Sequence, residues 1–180
     1  VPEGGKVLPA DTCPLVKASL GAHFGKTCPY FSVADMYVGE TTCDAKKKAY
    51  EILGADKQTY VMDMPQMKRA KDIEKWTGEI AEFAREVERV TGNELTAEKL
   101  ADAIKVVNAK RRALARVFAA TKNKDCIPIS GKDRLLMTQI AFFDDPERCA
   151  QKANELADEL EQRITDGVSV FPEGTKRILI

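Results

Sequence analysis

Residues 36–65 read MYVGETTCDAKKKAYEILGADKQTYVMDMP, and this segment decides the fold. Its ends, 36–42 and 59–64, are short runs rich in β-branched and aromatic residues, which favours two strands. Between them, Asp44 to Leu53 is typical of a helix, and Gly54 is a suitable residue to end it. A strand, a helix and a strand in about 30 residues form a βαβ unit, which predicts a parallel sheet.

The sequence after Gln66 is richer in Ala, Glu, Lys and Leu, which predicts a helical part. Four helices are expected there, each with apolar residues repeating at steps of three and four on one face. The four apolar faces contain Ile73, Trp76, Ile80, Phe83, Val87 and Val90; Leu100, Ile104, Val107, Leu114 and Phe118; Leu136, Ile140 and Phe143; and Ala153, Leu156, Leu160 and Ile164. We therefore predict an α/β part over 1–66 and an antiparallel helical subdomain over 67–175.

Helix boundaries are marked by capping residues. Thr96, Ser130 and Asp145 are suitable N-caps for the later helices, and Gly92 is suitable to end the helix before Thr96. A further short helix is expected from Cys13 to about His23, with Thr12 as its N-cap. The last residues, 176–180, resemble the start of a buried strand, and we expect it to lead to a second domain.

Composition excludes several classes of protein. The 180 residues contain 28 Lys and Arg and 28 Asp and Glu, so the net charge is zero, unlike that of a general nucleic-acid binder. No apolar run approaches the roughly 20 residues of a membrane helix. The five cysteines are odd in number and contain no CxxC pair, which favours thiols in a reducing cytoplasm over a disulfide framework or a zinc ribbon.

Cys13 and Cys43 are the candidate site residues. Cys13 begins a predicted helix, and Cys43 ends a predicted strand and precedes a helix. A helix N-terminus has free N–H groups and a partial positive charge, which stabilise a thiolate and suit a negatively charged iron–sulfur cluster. The alternative is that each is a small buried core residue.

The other three cysteines have weaker claims. Cys28 precedes a proline in a loop and is ambiguous, because it could approach the same site. Cys126 lies in a loop near a helix end, where we expect it to be incidental. Cys149 falls on the apolar face of the last helix, which favours core packing.

Charged residues around Cys43 allow two interpretations. The run Lys46 to Lys48 either faces a negative cluster or phosphate, or is a solvated helix face. Glu40 and Asp44 are suited to acid–base work, but surface or capping roles are more common. His23 is the single histidine, and without a nucleophile motif the sequence does not support a hydrolytic triad.

Five segments resemble the 2-hydroxyacyl-CoA dehydratase / benzoyl-CoA reductase family, in its D-component type. They are LPADTCPLVKASLG (8–21), VGETTCDAKKK (38–48), YVMDMPQ (60–66), NAKR (108–111) and PISG (128–131). The two cysteine segments are the most specific. The sequence GETTCD followed by lysines is most similar to the branch that includes double-cubane cluster proteins.

The resemblance implies a fold and a cofactor. Family members have two Rossmann-like α/β domains with helical additions, and each subunit holds a [4Fe–4S] cluster through three cysteines. Two of these match Cys13 and Cys43 here. The third belongs to the second domain, so it is expected beyond residue 180, and the cluster is either a single cubane or half of a double cubane.

The resemblance also implies anaerobic, low-potential electron transfer in a homo- or heterodimer. An ATP-dependent iron–sulfur activator protein delivers an electron, which the cluster passes to an acyl-CoA substrate. The charge balance and the lack of a long apolar run predict no nucleic-acid partner and no membrane association. Dehydration of 2-hydroxyacyl-CoA, ring reduction and reduction of small molecules by a double cubane are the reactions of the different branches. Two alternatives outside the family remain: a non-enzymatic helical interaction module with buried cysteines, and a redox-active thiol protein.

Overall fold

Eight helices and two strands make up the part of the chain that the computed structural model describes, residues 2–176 and 178. The elements are α1 (Pro2–Val7), α2 (Pro14–Phe24), α3 (Pro29–Val33), β1 (Tyr37–Glu40), α4 (Asp44–Gly54), β2 (Thr59–Met62), α5 (Ala70–Thr91), α6 (Ala97–Ala120), α7 (Gly131–Ile140) and α8 (Pro146–Thr165). They form two compact units, one through Leu95 and one from Thr96 onwards. The functional division predicted at residue 66 stays a prediction.

The two strands form a parallel sheet, as the βαβ pattern predicts. Tyr37 is paired with Thr59 at one end and Glu40 with Met62 at the other. Helix α4 connects them, so its amino end lies at the carboxyl edge of the sheet. The fold is thus helix-rich with a small parallel sheet, and this βαβ unit is the part of a Rossmann-like arrangement that the described residues contain.

Gly39 allows α4 to pack closely on β1. A Cβ atom at this position would lie 2.4 Å from Cζ of Tyr50, a residue of α4, and Gly39 is buried. A side chain at position 39 would therefore displace the Tyr50 ring.

Replacing Gly39 with alanine is expected to lower the free energy of unfolding by about 1–3 kcal/mol, the usual effect of overpacking a core. Urea denaturation measures the change. Gly78→Ala is the control and should instead raise the free energy of unfolding. A Cβ atom there enters open space within the described structure, and alanine favours a helix over glycine by about 0.5–1 kcal/mol. Equal stability of Gly39→Ala and the wild type would contradict the close contact.

The first unit has a small apolar core between α2 and α4. Its buried side chains are Leu8, Val16, Leu20, Ala49 and Leu53. Val16 and Leu20 are four residues apart on α2, and Ala49 and Leu53 are four apart on α4, so each pair lies on one helix face. This packing holds α2 beside α4, the two helices that begin after Cys13 and Cys43.

Helix α5 packs against β2 in the first unit. The Tyr60 and Phe83 rings lie 5.5 Å apart, and Asp63 N donates to Glu79 Oε2 at 3.0 Å. The apolar face predicted for this helix is only partly covered, because Ile73 is 60% exposed and Ile80 is 48% exposed.

The second unit is centred on α6 and α8. Small residues allow close packing: Ala113 and Ala120 of α6 meet Ala153 and Ala157 of α8 in one buried cluster. The two helices run in the same direction. Lys110 Nζ reaches the Ala141 carbonyl before α8 (3.1 Å), and Arg116, further along α6, reaches Asp158 inside α8 (2.6 Å).

Helix α7, between α6 and α8 in sequence, runs the opposite way. Arg134 near its start lies 5.4 Å from the Phe118 ring at the end of α6, and Ala141 just after it meets Lys110 earlier on α6. Consecutive helices of this unit therefore alternate in direction, as in the predicted antiparallel layer. The α7 segment does differ in burial, since the residues predicted to be buried on it, Leu136, Ile140 and Phe143, are exposed.

The predicted helix ends are largely confirmed. Thr96, Ser130 and Asp145 cap α6, α7 and α8 through their side chains, and Gly92 ends α5 with a positive φ of 70°. The N-cap of α2 is Cys13 itself rather than Thr12. The strand predicted at 176–180 falls mostly outside the described residues. Within those residues, no helix combines the length and apolarity needed to cross a bilayer.

Candidate functional site

Cys43 lies at the junction between the sheet and α4. It is the N-cap of that helix, with an extended backbone (φ −145°, ψ 127°), and its carbonyl accepts from Lys47 N at 3.0 Å. Among the described residues its half-buried thiol makes no capping hydrogen bond, so the sulfur is available beside the first amides of the helix. The partial positive charge of the helix N-terminus lies on this side of the sulfur.

Glu40 fixes the turn that carries Cys43. Its carboxylate accepts from Thr42 N at 2.8 Å, from the Thr42 hydroxyl and from Lys46 Nζ. The hydrogen bond from Lys46, followed by those from Thr42, lowers the pKa of Glu40 from 4.5 to about 2. A carboxylate held in this way is a structural clamp, which favours the capping interpretation over acid–base work.

We expect the side-chain carboxyl of Glu40 to titrate near pH 2 in a ¹³C NMR titration. Because its folded pKa is lowered, its contribution to stability is present above pH 4.5 and is lost as the pH falls towards 2. Lys46→Gln should move the pKa back towards 4.5. Lys48→Gln is the matched control, since Lys48 pairs with Glu51. A wild-type pKa of 4.5 would contradict the clamp.

A second set of hydrogen bonds ties the carboxyl ends of the strands together. Thr41 Oγ1 donates to Asp63 Oδ1 at 2.9 Å and accepts from Met64 N at 3.0 Å. Asp63 also pairs with Lys75 of α5, and this contact, followed by the one from Thr41, lowers the pKa of Asp63. This network was not predicted from the sequence, although a Thr and an Asp directly after two predicted parallel strands were the signal for it.

The three lysines after Cys43 are all in ion pairs. Lys46 pairs with Glu40, Lys47 with Asp44 at 2.7 Å, and Lys48 with Glu51. The carboxylate contacts are the main reason that the pKa values of Lys46 and Lys47 are raised, and Cys43 adds a smaller contribution to both. The run is therefore a paired helix face on which the first two ammonium groups lie near the Cys43 sulfur.

Cys13 holds the equivalent position on α2. It is the N-cap, Pro14 is the first residue of the helix, and the Cys13 carbonyl accepts from Lys17 N at 3.1 Å. The thiol is exposed and, in the part of the chain that the structure describes, is not used for capping. Both candidate cysteines thus begin an 11-residue helix with their sulfur atoms available.

The two helices point the same way. His23, in the last turn of α2, and Asp56, just after α4, are joined by a contact of 2.9 Å between Nε2 and Oδ2. Because the carboxyl ends meet, the amino ends with Cys13 and Cys43 lie at one end of the pair. Packed helix axes are about 8–10 Å apart, and the thiolates around one cubane are roughly 6–7 Å apart.

Cys28 lies towards the opposite edge of the sheet. It lines a cavity of about 410 Å³ together with Tyr37, Asp56 and Lys57. Tyr37 begins β1, whereas Cys43 follows the end of that strand, and the four strand residues between these ends span about 10 Å. Within residues 2–176 and 178, no three His, Cys, Asp or Glu side chains form a group able to hold a metal ion, so Cys28 does not complete a set with the other two.

The remaining cysteines are core residues. Cys149 is buried, as predicted, and burial is the main reason that its pKa is raised. Cys126 is also buried, although the sequence indicated only an incidental loop position. Its amide donates to Asn123 Oδ1 at 2.9 Å, which fixes the turn before it.

Comparison of the sequence with known proteins identifies the family of this chain. All of residues 1–180 match the sequence model described as "2-hydroxyglutaryl-CoA dehydratase, D-component". The chain belongs to this D-component family. The Escherichia coli (strain K12) protein named "Putative dehydratase subunit YjiM" is 37% identical over 184 residues, which cover 100% of this chain and 47% of that protein. The chain thus spans about half the length of the curated relative it matches.

The site of this D-component family chain fits part of the ligand set of an iron–sulfur cluster. Cluster iron is held by cysteine thiolates, and Cys13 and Cys43 offer two thiols beside helix amides and, at Cys43, beside two lysines. Two thiolates are fewer than a cubane needs. Among the described residues, no third His, Cys, Asp or Glu side chain joins these two in a metal-binding group.

Proposed function

We propose that Cys13 and Cys43 supply two of the thiolate ligands of a [4Fe–4S] cluster, either a single cubane or half of a double cubane. The observation that carries the proposal is the shared orientation of α2 and α4, each of which begins at one of these cysteines. A third cysteine comes from a second domain that follows residue 180. Residues 1–66 are then the cluster-binding part of a Rossmann-like first domain.

The surrounding residues prepare this site for negative charge. The free amides at the amino ends of α2 and α4 lie at the end of the helix pair that carries Cys13 and Cys43. Lys46 and Lys47 add positive charge near Cys43. Glu40 holds the Cys43 turn through Thr42 and balances the charge of Lys46. When bound, the cluster supplies one-electron transfer at low potential.

We infer that the whole protein acts on acyl-CoA thioesters, in a dehydration of the 2-hydroxyacyl-CoA type. The family description, which names such a dehydratase, and the dehydratase name of the Escherichia coli relative support this. An ATP-dependent iron–sulfur activator protein delivers the electron. The GETTCD segment, which resembles double-cubane proteins, favours a reductase of small molecules as the second candidate.

A second subunit is also part of the proposal. The relative is named as a subunit, and large apolar side chains in and just after α7 are exposed in this chain, including Leu135, Phe142 and Phe143. Exposed apolar patches of this kind are common at protein interfaces. The same observation suits a helical interaction module, which would need no iron.

The test is anaerobic purification of the natural polypeptide that carries this sequence, with quantification of iron and acid-labile sulfide. We expect about four iron atoms per chain and an EPR signal after reduction. An iron-free protein that takes up no iron on reconstitution would instead favour the interaction module.

A further inference from the structure

His23 and Asp56 join the carboxyl ends of α2 and α4. The His23 Nε2 and Asp56 Oδ2 atoms are 2.9 Å apart, although the residues are 33 positions apart in sequence. The His23 side chain is only 14% exposed, whereas that of Asp56 is 57% exposed. One partner is therefore anchored in the protein, and the other reaches it from the surface.

The His23 ring is held by aromatic contacts on several elements. Its centroid lies 5.1 Å from that of Phe24, 5.3 Å from Phe31 and 6.1 Å from Tyr37, all with steep interplanar angles. Edge-to-face contacts of this kind favour one ring orientation. The Tyr37 hydroxyl donates to the Phe31 carbonyl at 3.0 Å, which fixes two of these rings to each other.

The opposite ends of the same helices carry Cys13 and Cys43. An 11-residue helix is about 16 Å long, so a tilt of about 10° at the His23 end shifts the Cys13 end by about 3 Å. Metal and catalytic sites need their ligands placed to within about 0.5 Å. A contact at the far end is therefore able to decide whether the two sulfurs meet.

We propose that His23 and Asp56 are positioning residues that set the distance between the sulfurs of Cys13 and Cys43. This inference rests on the proposed cluster site and adds the device that aligns it. The pair does not touch the sulfurs. It fixes the relative tilt of α2 and α4, while Val16, Leu20, Ala49 and Leu53 hold the helices in contact.

The experiment treats the iron-free natural polypeptide with dibromobimane, which becomes fluorescent when it links two neighbouring thiols, and peptide mapping identifies the bridge between Cys13 and Cys43. Cys28→Ser is introduced in every sample so that Cys28 does not react, and Cys126 and Cys149 are buried. Asp56→Ala is expected to slow bridging about tenfold, because an intramolecular reaction depends steeply on orientation. Asp56→Asn retains an acceptor for the His23 N–H and should keep the wild-type rate.

Asp35→Ala is the matched control, because Asp35 is an exposed aspartate of the same unit and should not affect bridging. Urea denaturation of each variant shows whether the chain is folded under the bridging conditions. Unchanged bridging in a folded Asp56→Ala variant, or no bridging in the parent, would overturn the inference. Iron content of the natural polypeptide is measured separately, so a failure of the cluster proposal is distinguishable from a failure of the positioning pair.

Discussion

Replacing Cys43 with serine in the natural polypeptide is expected to reduce bound iron from about four atoms per chain to about one or fewer. A serine hydroxyl is a poor ligand for cluster iron compared with a thiolate, and the substitution removes a sulfur that lies between the carboxyl end of β1 and the first amides of α4. Cys13→Ser is expected to have the same effect, because its position on α2 is equivalent. Iron and sulfide are quantified after anaerobic purification.

Cys28→Ser is the matched control for both variants. Cys28 is also the N-cap of a helix and also a partly exposed thiol, but it lies towards the other edge of the sheet. The Cys28→Ser variant should bind as much iron as the wild type. If Cys28→Ser loses iron while Cys43→Ser keeps it, the assignment of the ligands is wrong.

Replacing Leu20 with alanine is expected to lower the free energy of unfolding by about 2–5 kcal/mol, the usual range for a buried leucine. Leu20 is 0% exposed and lies in the core shared by α2 and α4. Since the cavity loosens α2 against α4, bridging of Cys13 to Cys43 should also slow. Urea denaturation and the dibromobimane reaction measure the two effects.

Leu15→Ala separates packing from helix propensity. Leu15 lies on the same helix but is 78% exposed, so its replacement should change stability by no more than about 0.5 kcal/mol. Equal losses in Leu15→Ala and Leu20→Ala would show that α2 is not packed as described.

Local chemistry made the βαβ unit and most helix ends predictable. Two β-rich runs separated by a helical pattern are compatible with few arrangements other than a βαβ unit. Capping residues such as Ser130 and Asp145 act within one turn of their own helix. The N-cap position of Cys43 followed from the same reasoning. Each of these features depends on residues close together in sequence.

Contacts between distant residues were not predictable. Nothing local to His23 indicates that it meets Asp56, and nothing local to the small residues of α6 indicates which residues of α8 they pack against. The exposed apolar side chains of α7 were predicted to be buried, because periodicity reports that a face is apolar but not what covers it. The ligand roles of Cys13 and Cys43 came from the family resemblance and stay a prediction.

The most direct test of the account is anomalous diffraction at the iron edge from anaerobically grown crystals of the natural polypeptide. We predict one iron–sulfur cluster whose density lies within bonding distance of both the Cys13 and the Cys43 sulfur atoms. Iron bound elsewhere, or bound to only one of these two sulfurs, would contradict it.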